Sequence, residues 1–207
     1  MSAGKKAKTG AKAKTKPKAA AKTKVKAKVK AKVKTKPKAK SGSKPKPSPL
    51  VEIQVQSPFW DQQAGAEAAV RAAVAAAAAL STSGGEVSIL LADDSAVQRL
   101  NRDWRGIDKP TNVLSFPAPE SMTKGVAAVL GDIVIAYETL TRECADEDRE
   151  FLHHLTHLTV HGYLHLVGYD HQNDLDAQEM EMLESKIMTR MKLPDPWNNV
   201  RRVQGGA

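Results

Sequence analysis

The stretch 153–171, HHLTHLTVHGYLHLVGYDH, constrains this chain more than any other. Leu155, Leu158, Val160, Leu164 and Leu166 recur at a spacing that predicts a helix packed into a core. On that helix His161 and His165 stand one turn apart, so they project from one face and can reach one ion. Gly168 is the residue type on which helices commonly end, and the turn after it can carry His171 back toward the pair. Three neutral imidazoles with one side open is how a catalytic divalent metal is held, typically zinc with a water in the fourth position.

The spacing also fits a known register. In the signature H-E-x-x-H-x-x-G-x-x-H the ligands fall at the first, fifth and eleventh positions, with glycine at the eighth. His161, His165, Gly168 and His171 satisfy all four. The glutamate that acts as the peptidase base is replaced by Gly162. The pattern therefore predicts a hydrolytic metal site that is not a peptidase. His153 and His154 read as core histidines, and His157, one turn before His161, as a neighbour supporting the ligands.

Charge divides the chain sharply. Residues 1–50 carry 19 Lys and no acid, which leaves 13 of the 32 basic residues against all 23 acidic ones beyond them, a formal −10. Residues 1–49 alternate Lys with Ala, Val, Thr and Pro and have little to bury, so a disordered arm is expected there. Such an arm suits an electrostatic tether for RNA or another polyanion, with salt-dependent binding. The arm has neither the apolar core of a signal peptide nor the Arg/Ser richness of a transit peptide, and no apolar run is long enough for a membrane span. The lone Cys144 rules out an internal disulfide and fits a reducing cytoplasm.

Residues 50–207 make one domain, long enough to bury about 70% of the unfolded surface. Residues 51–55 alternate as a strand, and Asp61 is expected to cap an Ala-rich helix running to about Leu80. Residues 86–92 form a second strand. Asp93 or Asp94 caps the next helix, with Val97, Leu100 and Trp104 as its inward stripe. Arg99, Arg102, Arg105 and Lys109 form the main basic cluster of this acidic domain. A strand follows at 111–116, then a loop over 118–130 hinged at Gly125, a strand at 131–136 and a short helix at 137–145. The histidine helix is expected from near Asp148. Asp174 caps a last helix with Met180, Leu183, Ile187 and Met191 on one side. Such an order predicts an α/β (α+β) fold, a mixed sheet of about four strands covered by helices.

LNRDWRGIDKPTNVLSF (100–116), GDIVIA (131–136), VHGYLHLVGYDH (160–171) and EMEMLES (179–185) together resemble, in that order, the diagnostic motifs of the YbeY family. The resemblance spans most of residues 51–195. It implies a bacterial metal-dependent, single-strand-specific endoribonuclease of α/β fold, one zinc ion on the three histidines, and Arg105 near the site. It also implies work with the ribosomal subunit and its proteins, in 16S rRNA 3′-end maturation and ribosome quality control. The family usually has Asp where this chain has Asn112, so a charge is lost there. Arg105 would clamp a phosphate, for which its planar fork is suited. Asp132 or Asp170 would orient a ligand imidazole. The attacking group is left open between water and the substrate's 2′-OH. Two other readings stand beside this one: a ribosome assembly factor with a structural metal, and, less well supported, a metallopeptidase.

Overall fold

The computed structural model describes residues 49–81, 84–119, 121–123 and 128–198. The basic arm and the expected hinge Gly125 lie outside them. The described residues form a mixed sheet flanked by five helices, an α/β architecture. Its strands are β1 (Leu50–Val55), β2 (Glu86–Ala92), β3 (Val113–Pro117) and β4 (Val129–Ala136), side by side in the order β1-β2-β4-β3. β1, β2 and β4 run parallel, and β3 pairs antiparallel with β4, Ser115 opposite Ile133 and Phe116 opposite Asp132.

Alternation along the strands decides which helix goes where. Val87, Ile89, Leu91, Ile133 and Ile135 point to one face and are almost fully buried. Helices α1 (Ala66–Ser81), α4 (Phe151–Leu166) and α5 (Asp174–Arg190) share that core. Alanine at 73, 77 and 78 leaves α1 slim enough to pack closely against α4. On the opposite face Leu114, Val134 and Ala136 meet α2 (Asp94–Arg105) in a second, smaller cluster. Helix α3 (Tyr137–Asp146) leads from β4 into α4.

Several local expectations shift. Asp61 does not cap α1: it lies in a 3-10 turn, Pro58–Gln62, capped by the Ser57 hydroxyl accepting from Phe59 N. That turn buries Trp60, whose indole N–H donates to Ala92 O at 2.9 Å and whose ring meets Tyr137 and Phe151 edge-on. Helix α1 starts only after Gly65 (φ 92). In α2 the inward residues are Ala96, Val97 and Asn101, with Leu100 half-buried and Trp104 72% exposed. Spacings 96/97/101 and 97/100/104 describe adjacent stripes of one helix, and the small side chains took the sheet. Trp104 instead leans edge-on against Phe116 over a groove on the open part of that face. The cap of α2 is Asp93, whose carboxylate accepts from Ala96 N. Helix α4 begins at Phe151 behind Glu150, because Asp148 (φ 50) is already in a left-handed turn. Asn173, rather than Asp174, caps α5. Strand β4 starts at Val129, inside the expected loop. Gly131 (φ 135) is required there, since a Cβ would stand 2.2 Å from Phe116 O.

Candidate metal centre

Helix α4 carries histidines at 154, 157, 161 and 165, a ridge along one flank, and Leu155, Val160 and Leu164 of the same helix are fully buried. The helix ends as its glycine demands. Gly168 has φ 94, Gly168 N donates to His165 O, and Tyr169 N donates to Leu164 O at 3.0 Å. This reversal sends His171 back against the helix, with ring centres 5.5 Å from His161 and 5.0 Å from His165. One ring nitrogen from each of the three histidines lies within 4.8 Å of the other two. His161 and His165 are half-buried and His171 is exposed, so the cluster opens to solvent on one side.

Hydrogen bonds fix which nitrogen the His161 and His165 rings present. His161 Nδ1–H donates to Glu184 Oε1 at 2.7 Å, and His165 Nδ1–H to Tyr169 O at 3.0 Å. In the neutral rings both Nε2 atoms are then bare lone pairs, and they face each other at 3.1 Å. Burial, and after it the neighbouring His161 and His171, push His165 below the usual imidazole value, favouring that neutral form. Two lone pairs at this distance repel unless a cation sits between them. Two tetrahedral zinc ligands at 2.0–2.1 Å from the ion would be about 3.3 Å apart. The donor set therefore fits a divalent ion with nitrogen preference.

Glu184 on α5 organises the inner side of the cluster and is a residue that the sequence reading does not single out. It is 1% exposed. Besides His161 it accepts from His157 Nε2 at 2.9 Å and Trp197 Nε1 at 2.8 Å, both on Oε2. Burial alone would raise this carboxyl, but the bonds from His157 and His161 outweigh burial and hold it down to about 2. A signal was present: Glu184 falls four residues after Met180 and three before Ile187, within a stripe that is otherwise apolar and buried. An acid at a core position needs a partner.

The remaining expected residues take different places. His157 is linked to His161 through Glu184. His154 is buried and bonds Glu143, which also accepts two bonds from the Asn112 amide. His153 is partly exposed beside Glu150. Asp170 lies next to the cluster, but its carboxylate accepts from the His171 backbone N–H at 2.8 Å rather than from a ring. Asp132 is exposed and, opposite Phe116 in register, belongs to the α2 face of the sheet. Arg105 ends α2, exposed, on that same face. Among the described residues no bond ties either of them to the three histidines. Gly162 is buried where α4 crosses the sheet, and a Cβ there would lie 3.0 Å from both Ile133 Cγ2 and Ser115 Oγ. No peptidase glutamate fits at that position.

The family model for endoribonuclease YbeY matches residues 53–192. The chain belongs to the YbeY family. Endoribonuclease YbeY of Nitrobacter hamburgensis is 51% identical over 156 residues, covering 72% of this chain and 82% of that one. The relative of the same name from Rhodopseudomonas palustris strain BisB18 is 50% identical over 161 residues, covering 75% and 96%. That from Bradyrhizobium diazoefficiens is 51% identical over 156 residues, covering 72% and 85%. YbeY proteins are endoribonucleases, hydrolases acting on RNA. All three cluster histidines and Glu184 lie inside the matched stretch, while Trp197 lies outside it.

Proposed function

We propose that this protein is a metal-dependent endoribonuclease that cuts single-stranded RNA, with one zinc ion per chain on His161, His165 and His171. The observation that carries the metal part is the 3.1 Å approach of two Nε2 atoms whose rings have both committed Nδ1 as donor. A divalent ion held by these three histidines would supply Lewis acidity and would lower the pKa of a bound water toward about 7. The chain's own residues do the rest. His161 and His165 are held in one tautomer by Glu184 and the Tyr169 carbonyl. Exposed His171 leaves the outer side open to a polymer. Arg105, exposed at the end of α2, clamps a phosphate of the substrate and steadies its growing negative charge.

Family membership supports rRNA as the substrate, with 16S rRNA 3′-end maturation and ribosome quality control as its setting. Its partners are then the ribosomal subunit and ribosomal proteins, and its place the cytoplasm. Among the described residues no helix is long and apolar enough to cross a membrane. The arm 1–49, with its run of lysines, adds affinity for nucleic acid. A purely structural metal fits less well, because such sites close with four ligands and keep them from solvent. The peptidase reading fails on Gly162.

The test is metal analysis paired with cleavage of an rRNA 3′-end fragment. Wild type is expected to carry about one equivalent of metal and to cut. His161→Ala should lose both properties, and Arg105→Ala should keep the metal and lose cutting. A metal-free His161→Ala protein that cuts at the native rate would refute the proposal.

A further inference from the structure

Residues 194–197 follow α5 and lie beyond residues 53–192, the stretch that the family model matches. They nevertheless reach the ligand set. Trp197 Nε1 donates to Glu184 Oε2 at 2.8 Å, the same oxygen that takes His157 Nε2 at 2.9 Å, while Oε1 takes His161 Nδ1 at 2.7 Å. The indole also stands at 90° to the His157 ring, centres 5.9 Å apart. Its backbone is tied down as well: Asp195 Oδ1 accepts from Ser185 Oγ at 2.7 Å and from Trp197 N at 3.0 Å. Both anchors of the turn, Glu184 and Ser185, are therefore consecutive residues of α5.

The consequence follows from carboxylate geometry. Oε1 faces His161 in the right plane only while Oε2 is fixed, and a carboxylate free to rotate would swing both oxygens. Two donors converging on Oε2 from different elements, α4 and the turn after α5, remove that rotation. With Glu184 buried, no bulk water is available to replace a lost donor.

We infer that Trp197 is a positioning residue for the metal centre. Its indole N–H, together with His157, holds the Glu184 carboxylate so that His161 keeps its proton on Nδ1 and turns Nε2 toward the other two imidazoles. The C-terminal turn is by this account part of the site. The inference rests on the metal reading proposed above.

The experiment uses the full chain as wild type, Trp197→Phe, Trp197→Gln and Trp60→Phe. Each is stripped of metal and titrated with cobalt(II) against a coloured chelator. The visible spectrum of the cobalt form and the urea midpoint of the metal-free form are recorded alongside. Trp197→Phe keeps a ring and loses the N–H; it should weaken cobalt binding about threefold to tenfold, below the 10–100-fold of losing an outer partner outright, and shift the cobalt band. Trp197→Gln keeps an N–H donor without the ring, and should bind cobalt more tightly than Trp197→Phe. Trp60→Phe loses a buried indole bond of 2.9 Å to Ala92 O; it should lower the urea midpoint and leave cobalt affinity unchanged. Wild-type affinity and spectrum in Trp197→Phe, or tighter binding by Trp197→Phe than by Trp197→Gln, would overturn the inference and leave the metal site standing. A wild type that takes up no cobalt would overturn the metal reading and this inference with it.

Discussion

Replacing Glu184 by glutamine tests how far the three-histidine cluster depends on what stands behind it. The carboxylate takes three N–H donors, one on Oε1 and two on Oε2. A glutamine amide has only one oxygen to offer. If that oxygen faces His157 and Trp197, the NH2 meets the Nδ1–H of His161. His161 escapes by moving its proton to Nε2, the nitrogen that must stay bare to bind an ion. If the amide flips, His161 is satisfied, but the Trp197 indole, which can only donate, faces an NH2, and His157 must move its proton to Nδ1 or face it too, at about 1–3 kcal/mol for each unsatisfied group. Both arrangements weaken metal binding or the fold. The expected loss is about 10–100-fold in metal affinity, or roughly 1.4–2.8 kcal/mol at 1.4 kcal/mol per decade. Glu184→Ala leaves all three donors without their acceptor and should cost about 3–5 kcal/mol of folding stability, in line with breaking a buried charged pair. Against a typical total of about 5–15 kcal/mol, that protein is marginal. Chelator competition gives the affinity and urea unfolding the stability, each with and without metal. A Glu184→Gln protein that binds zinc within twofold of wild type and also unfolds at the wild-type urea midpoint would refute the reasoning, because neither amide orientation can satisfy a bare Nε2 and all three donors together.

Three further outcomes are expected. Gly162→Glu should lose about 3 kcal/mol of stability and gain no peptidase activity, since a side chain there meets Ile133 and Ser115 within 3.0 Å; a urea midpoint equal to wild type would contradict this. Burial alone would raise the Glu143 carboxyl, but bonds from His154 and Asn112 outweigh it and leave it below the usual glutamate range. Its stabilising effect is therefore fully present above about pH 4.3, the unfolded value, and is lost as pH falls through the lower folded value. The stability gap between wild type and Glu143→Gln should be wide at pH 7 and narrow at pH 3, and a gap that widens in acid would exclude the pairing. Deleting residues 1–49 should flatten the salt dependence of binding to single-stranded RNA, by about 0.7 in log–log slope for each phosphate that the arm's lysines neutralise; an unchanged slope would remove the arm from RNA binding.

What a sequence reveals tracks how local the cause is. The spacing 161/165/168/171 is legible because one helix turn and one left-handed glycine act within eleven residues, and Gly168 (φ 94) does what its chemistry requires. The sheet is legible for the same reason, since alternation along Glu86–Ala92 records a face that must be buried. Trp104 departs from expectation because two adjacent stripes on α2 share Val97, and only the sheet decides which one it receives. Asp61 departs because Trp60, held by Ala92 32 residues away, bends the chain where a helix is expected to begin. Asp132 and Asp170 are acids near the motifs, yet proximity in sequence does not say which face of a strand, or which atom of a turn, a carboxylate serves. Glu184 sits 23 residues from the ring it supports and inside an apolar stripe. That placement is itself the argument: a buried carboxylate is costly unless donors are waiting for it, and α4 offers histidines at matching height. In this chain an acid interrupting the buried face of α5, beside the histidine ridge of α4, therefore marks the carboxylate behind the three histidines, which the acids close to them in sequence do not.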